Sequence, residues 1–161
     1  IQQGIRLHRM IDAFTDAHPA TQEVKSYFHS AYRLYAGAFA DVVYDFFLAN
    51  DAQTFATEQA LQQFVSGVYT ALEQQQDFFP PEFHRVFASM KEHNWLFHYR
   101  FEWGIQRSFA SIAQRAKYIH DASRAMELFA ENRPALEEQY RIFFPLLKNY
   151  AATEWQRMVQ H

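Results

Sequence analysis

Three side chains that suit metal or proton chemistry lie four residues apart near the start of the chain: His8, Asp12 and Asp16. In an α-helix, a four-residue step turns a side chain by only about 40° and advances it by about 6 Å, so all three would share one stripe. Such nitrogen and oxygen donors bind Mn²⁺, Fe²⁺, Mg²⁺ or Zn²⁺. An ordinary solvent-exposed polar face also fits this pattern, and Arg9 could neutralise Asp16.

A second pair of carboxylates, Asp41 and Asp45, lies within an otherwise apolar segment at residues 38–49. A helix that is apolar all round is normally buried, so we expect both carboxylates to be buried and to need a partner. No Lys or Arg occurs in residues 34–84, so the partner must come from another part of the chain. Three alternatives remain open: a metal ion shared with the first stripe, local capping or water, or an arginine from the set Arg6, Arg9 and Arg33.

The spacing of apolar residues is helical along nearly the whole chain and predicts an all-α protein. We predict about seven helices, at residues 3–14, 19–32, 36–49, 57–76, 82–93, 100–118 and from 122 to the C-terminus. The last helix is expected to bend or break near Pro134 and Pro145. With no repeat or linker, residues 1–161 are predicted to form a single helical domain. Because the chain does not begin with Met, we expect a short N-terminal segment to precede it.

The composition limits the class of protein. A chain of 161 residues that is 49% apolar can bury one sizeable core. Seventeen Phe, against only nine Gly and Pro together, favour helices packed through large rings. The absence of cysteine excludes disulfides and thiolate metal sites. No apolar run approaches the roughly 18 residues of a membrane span, and no signal peptide is visible, so we expect a cytoplasmic protein without membrane contact.

The charges are distributed unevenly along a chain whose net charge is −3. Residues 34–84 carry seven acids and no base, whereas residues 85–124 carry seven bases against three acids. The basic segment is either a set of solvated helix faces or a surface for an acidic partner. The basic excess expected of a nucleic-acid-binding protein is missing. The aromatic surplus leaves room for a homodimer.

Two segments resemble the signatures of the acyl carrier protein phosphodiesterase family. Residues 4–19, GIRLHRMIDAFTDAHP, are similar to its first signature, and residues 41–49, DVVYDFFLA, to its second. The segments Tyr35-Ala36-Gly37, Trp95-Leu96 and Gly104-Ile105 extend the likeness. The resemblance implies an HD-domain-like helical fold, distantly related to the HD phosphohydrolases. It also implies a metal-dependent enzyme, typically with Mn²⁺, that hydrolyses the phosphodiester joining 4′-phosphopantetheine to a serine of holo-acyl carrier protein.

The resemblance further implies roles for the carboxylates and the histidine of the two signatures. His8, Asp12 and Asp45 would hold the metal ion, which would lower the pKa of a bound water molecule. Asp16 or Asp41 would orient that water or accept its proton. These two aspartates are therefore the predicted catalytic residues, and the other three side chains are the predicted metal ligands.

The remaining expectations concern the substrate. Arg6 and Arg9 would hold phosphate oxygens. Carrier proteins are strongly acidic, so residues 85–124 are the expected docking surface, with binding that weakens as salt rises. His18 either supports the site or marks the start of the second helix. The family usually has His directly after the second aspartate of its second signature, where this chain has Phe46. The alternative is therefore a catalytically impaired family member that acts as a helical binding or scaffold protein.

Overall fold

A computed structural model describes residues 2–119 and 121–160, and these residues form α-helices and two short 3₁₀ turns but no β-strand. The prediction of an all-α protein is confirmed. The helices are α1 (Gln2–Ala17), α2 (Pro19–Tyr32), α3 (Ala36–Ala49), α4 (Glu58–Glu73), α5 (Pro81–Glu92), α6 (Trp95–His98), α7 (Glu102–Arg115) and α8 (Ser123–Val159). The sequence predicts all of these helices except α6. The four residues of α6 are too few to show a helical period. No helix in the described ranges is long and apolar enough to cross a membrane.

The chain divides into two compact units. The first unit comprises Ile1–Asp41 and Ile112–His161, and the second comprises Val42–Ser111. The two boundaries fall inside α3 and α7 rather than in linkers. The prediction of a single domain over residues 1–161 stays a prediction.

Capping side chains fix the starts of α2 and α4. His18 precedes α2, and the backbone N–H of Ala20 donates a hydrogen bond to its Nδ1 over 3.2 Å. Pro19 then occupies the first helical position, where its missing N–H needs no partner. At α4, the N–H of Ala60 donates to the hydroxyl of Thr57 over 3.1 Å. The predicted starts of both helices are confirmed to within one residue.

The last helix, α8, continues without a break from Ser123 to Val159, so a break near Pro134 and Pro145 is excluded, while a bend there stays a prediction. Each proline removes one backbone hydrogen bond and disfavours the helix locally. Leu136 and Phe143, on the buried face of α8, are 0% and 1% exposed. This tertiary packing outweighs the local preference of the prolines, as is usual for amphipathic helices in proteins.

The helix that carries the predicted stripe, α1, lies at the surface of the first unit. None of its described residues is fully buried. It is held against α8 by Phe14, whose ring stacks on Tyr150 with centroids 4.3 Å apart. The side-chain amide of Gln3 also donates to the carbonyl oxygen of Met158 over 3.1 Å. These contacts position α1 while leaving its polar side open to solvent.

The second unit contains a close backbone approach between α6 and α7. A Cβ atom at Gly104 would overlap the carbonyl oxygen of His98, so only glycine fits there without a shift of the backbone. The core of this unit is formed by Leu61, Val65, Tyr69, Phe87 and Phe97. Gly104 is therefore required by packing, which accounts for one of the segments that resemble the family.

Candidate functional site

His8 and Asp12 lie side by side on α1, as their spacing predicts. Their Nε2 and Oδ2 atoms are 3.4 Å apart, and the two side chains are 74% and 56% exposed. At this exposure, water screens the attraction, and the pair contributes little to stability. The pair therefore presents one nitrogen donor and one carboxylate donor to solvent.

Asp16 is bound by Lys25, a residue of α2 that the sequence patterns do not single out. The ammonium Nζ lies 2.7 Å from Oδ1 of Asp16, and the Lys25 side chain is only 22% exposed. The side-chain amide of Gln22 donates to the backbone oxygen of Asp16, which joins the end of α1 to α2. The cation beside Asp16 is thus a lysine of the neighbouring helix rather than Arg9.

The two carboxylates of α3 are not both buried, so that prediction is corrected. Asp41 is solvent-exposed and Asp45 is partly buried. The buried residues Phe39, Ala40 and Val43 follow one face of the helix, and Asp41 projects from the opposite side. The apolar residues of α3 therefore form a broad face rather than a complete cylinder.

Asp41 belongs to an electrostatic cluster in the first unit. Desolvation raises the pKa of the Asp41 carboxyl above its usual value, the Lys25 ammonium opposes this shift, and the negative charges of Asp16 and Asp12 add to it. Because Asp41 is exposed, water weakens these interactions. The four side chains Asp12, Asp16, Lys25 and Asp41 are called the acidic cluster below.

Gly37 of α3 lies beside the lysine of the acidic cluster. A Cβ atom at Gly37 would lie 3.6 Å from Cε of Lys25, which is ordinary van der Waals contact. Gly37 stands one helical turn before Asp41 on α3. The aliphatic stem of Lys25 therefore passes α3 on its way to Asp16, which explains how one ammonium group acts on carboxylates of two helices.

The candidate side chains meet only part of what a divalent metal ion requires. The donor types fit, because imidazole and carboxylate groups bind such ions. The geometry does not: across residues 2–119 and 121–160, no three His, Asp or Glu side chains are grouped to hold a metal. Asp16 is already paired with Lys25. We therefore derive no catalytic step through a metal, and the ligand roles of His8, Asp12 and Asp45 stay predictions.

Arg6 and Arg9 line one pocket of about 470 Å³ that is formed largely by α1. The remaining lining residues are Gln2, Ile5, Met10, Ala13 and Tyr150. Neither arginine forms an ion pair within the described part of the chain, and both are exposed. Arg9 is three residues from Asp12, so their side chains are neighbours on α1. Two guanidinium groups above an apolar floor suit a phosphate attached to a less polar chain.

Two further residues of the signatures, His18 and Phe46, contribute to helix capping and to apolar packing. His18 caps α2, and its ring lies against Phe143 with centroids 5.0 Å apart, so it marks a helix start. Phe46 is 3% exposed and contacts the edge of Phe47 at 5.4 Å between centroids. Phe46 is therefore part of apolar packing in the second unit.

The basic segment is partly neutralised by local ion pairs. Lys91 pairs with Glu73, and Arg100 pairs with Glu58 over 2.6 Å. Arg124 pairs with Glu127 over 2.7 Å and also contacts Glu131. Residues 85–124 are also divided between the two units. The docking role of the whole segment stays a prediction.

Comparisons with known proteins point to one family. The family model described as acyl carrier protein phosphodiesterase matches residues 1–147. The acyl carrier protein phosphodiesterase of Photorhabdus laumondii is 24% identical over 148 residues, which cover 92% of this chain and 75% of that protein. The enzymes of the same name from Salmonella paratyphi A and Enterobacter sp. strain 638 are both 28% identical, over 94% and 90% of this chain and 79% and 75% of theirs. No solved structure matches the chain.

Proposed function

Because the chain belongs to the acyl carrier protein phosphodiesterase family, we propose that it hydrolyses the phosphodiester joining 4′-phosphopantetheine to a serine of holo-acyl carrier protein. The observation that carries this proposal is the family match over residues 1–147, which includes the whole acidic cluster and both pocket arginines. The products would be the free serine hydroxyl of the carrier and 4′-phosphopantetheine. Water supplies the oxygen that bonds to phosphorus and the proton that the serine oxygen takes.

The arginine pocket supports phosphate binding in this proposal. Arg6 and Arg9 would donate hydrogen bonds to the non-bridging phosphate oxygens, and charge-assisted bonds of this kind are among the stronger ones in proteins. Apolar side chains such as Ile5 and Met10 line the same pocket and would contact the pantetheine chain. The phosphate would then lie next to Asp12, at the edge of the acidic cluster.

The acidic cluster supports proton transfer from the attacking water. Asp41 or Asp16 would orient this water and accept its proton. The raised pKa of Asp41 makes its carboxylate a better base than an isolated aspartate, since a general base works best when its pKa approaches the working pH. Lys25 holds Asp16 in place, which leaves Asp41 as the more available proton acceptor.

The direct test is the conversion of holo-carrier to apo-carrier protein, followed by mass spectrometry. Asp41→Asn should lower kcat by about 10²-fold or more, because loss of a general base typically has that effect. Arg9→Gln should mainly raise KM. Asp77→Asn, at an exposed position in the second unit, and Arg141→Gln, at an exposed position of α8, serve as matched controls and should leave both constants unchanged. Binding of the carrier without any turnover would contradict the proposal and favour a scaffold protein.

We also propose that activity requires a divalent metal ion, with Mn²⁺ first and Mg²⁺, Fe²⁺ or Zn²⁺ as alternatives. His8 and Asp12 are adjacent and chemically suited to begin such a site. At a concentration 100 times its Kd, a metal that binds only the folded chain adds about 2.7 kcal/mol of stability. The melting temperature should therefore rise with Mn²⁺ in the wild type and in Asp77→Asn but not in Asp12→Asn. An equal rise in Asp12→Asn would contradict the assignment.

A further inference from the structure

Two large apolar side chains protrude from the first unit at neighbouring segments. Leu34, in the 3₁₀ turn Arg33–Tyr35 that follows α2, is 92% exposed. Tyr118, just after α7, is 70% exposed. They are the two most exposed large apolar side chains in the described part of the chain. Exposed apolar groups that lie together often mark a surface for a partner.

A hydrogen bond joins the two segments. The backbone N–H of Lys117 donates to the hydroxyl oxygen of Tyr35 over 3.1 Å. Leu34 and Tyr118 are the immediate neighbours of these two residues in sequence, so the bond brings their two segments together. Arg33 has a left-handed φ of 43°, which is unusual for a residue with a side chain. The turn is therefore held in a specific conformation that leaves Leu34 projecting into solvent.

The charges around these side chains are positive and are not neutralised by local ion pairs. Arg33 and Lys117 are exposed, and neither has an ion-pair partner among the described residues. The Lys117 ammonium lies 5.4 Å from the centre of the Tyr118 ring. The nearest acid in sequence, Asp121, already accepts hydrogen bonds from the backbone N–H and the hydroxyl of Ser123. Each of the two exposed apolar groups is thus next in sequence to a cation that forms no ion pair among the described residues.

We infer that Arg33, Leu34, Lys117 and Tyr118 form a docking patch for an acidic protein, and specifically for the carrier protein whose phosphodiester is hydrolysed. This inference rests on the proposed function. Apolar anchors surrounded by cations complement a helical surface with acidic side chains, since opposite charges steer association and buried apolar contacts hold the complex. The carrier is the partner that this chemistry fits.

The position of the docking patch relative to the acidic cluster supports the same partner. The scissile phosphodiester is attached directly to a serine of the carrier, so the carrier surface must lie close to the reacting groups. Lys25 and Arg33 are eight residues apart along α2 and the turn after it, which is about 12 Å at the helical rise. Asp41 follows Leu34 by only seven residues and lies in the second turn of α3. A carrier bound on the docking patch would therefore be placed beside the acidic cluster.

The inference is tested by the affinity for apo-carrier protein, which has no phosphodiester and therefore binds without turnover. Lys117→Glu and Leu34→Ala should each raise its Kd about tenfold or more. Both replaced side chains are exposed, and the Lys117 N–H that bonds Tyr35 is retained in the variant. Lys148→Glu and Ile142→Ala are matched controls on exposed positions of α8 and should bind like the wild type. Along α8, Lys148 is about 37 Å from Ser123, the first residue of this helix. Circular dichroism melting checks that all variants are folded.

The outcomes separate this inference from the proposed function. An unchanged Kd in both Lys117→Glu and Leu34→Ala, or an equal loss in the control variants, overturns the docking patch. Failure of the wild type to bind apo-carrier also overturns it, even if holo-carrier is hydrolysed. If the patch variants lose binding while the wild type shows no hydrolysis of holo-carrier, the docking patch stands and the proposed function fails. A Kd that rises with salt in the wild type, and much less in Lys117→Glu, is the further expected result.

Discussion

At the scale of single residues, sequence spacing predicts contacts within one helix but not between helices. The adjacency of His8 and Asp12 follows from their four-residue separation, and it is observed. Lys25 belongs to neither signature, and its contact with Asp16 depends on how α1 and α2 pack. No spacing rule in a single sequence contains that information. The cation beside the carboxylates was therefore expected to be an arginine or a metal, whereas the structure places a lysine there.

The raised pKa of Asp41 predicts a pH-dependent gain in stability for Asp41→Asn. A carboxyl whose folded-state pKa is raised binds its proton more tightly when folded, so the folded wild type loses stability as pH rises through that pKa. At neutral pH the variant should therefore have the higher free energy of unfolding. Below the usual aspartate pKa of about 3.9, both folded and unfolded wild type are protonated and the difference should vanish.

Urea denaturation at neutral pH and at about pH 3.5 measures this difference. Asp77→Asn, at an exposed position in the second unit, is the control and should show no comparable change. A variant that is no more stable than the wild type at neutral pH would mean that the attraction of Lys25 outweighs desolvation at Asp41. A gain in stability together with lost activity would be the usual trade-off at a functional site.

At the scale of elements, helix starts were predictable because they depend on neighbouring residues. His18-Pro19 and Thr57 fix the starts of α2 and α4 through their own side chains. The burial of α3 was less predictable. Its apolar content did not reveal that the side carrying Asp41 would be exposed to solvent. The unbroken path of α8 through Pro134 and Pro145 depends on packing along its whole length, which local preferences do not contain.

Two glycines in helices of the second unit are expected to respond to alanine in opposite ways. At Gly104, the added methyl group would overlap the backbone oxygen of His98, so Gly104→Ala should lower the free energy of unfolding by about 1–3 kcal/mol. At Gly67 in α4, a Cβ atom would meet no atom within 4 Å. Gly67→Ala should therefore stabilise the protein by up to about 1 kcal/mol. Chemical denaturation of both variants checks this, and a stabilising Gly104→Ala would contradict the close approach of α6 and α7.

At the scale of the whole molecule, composition and periodicity were sufficient for the all-α class, and two linked signatures were sufficient for the family. The division into two units was not predicted, because its boundaries fall inside helices and leave no trace in composition. The separation of acidic and basic residues along the sequence is also greater than the separation of their charges in the folded protein. Arg100 and Lys91 of the basic segment are paired with Glu58 and Glu73 of the acidic segment, so folding cancels part of it.

Lys25 also determines how the acidic cluster behaves when solution ions are scarce. A counter-ion attached to the chain cannot be extracted by a chelator or diluted away, because its effective concentration at Asp16 is fixed by the fold. Any divalent ion that enters must compete with this tethered ammonium group, which weakens the apparent affinity for the ion. The contact that Lys25 forms between α1 and α2 therefore does not depend on the supply of any ion from solution.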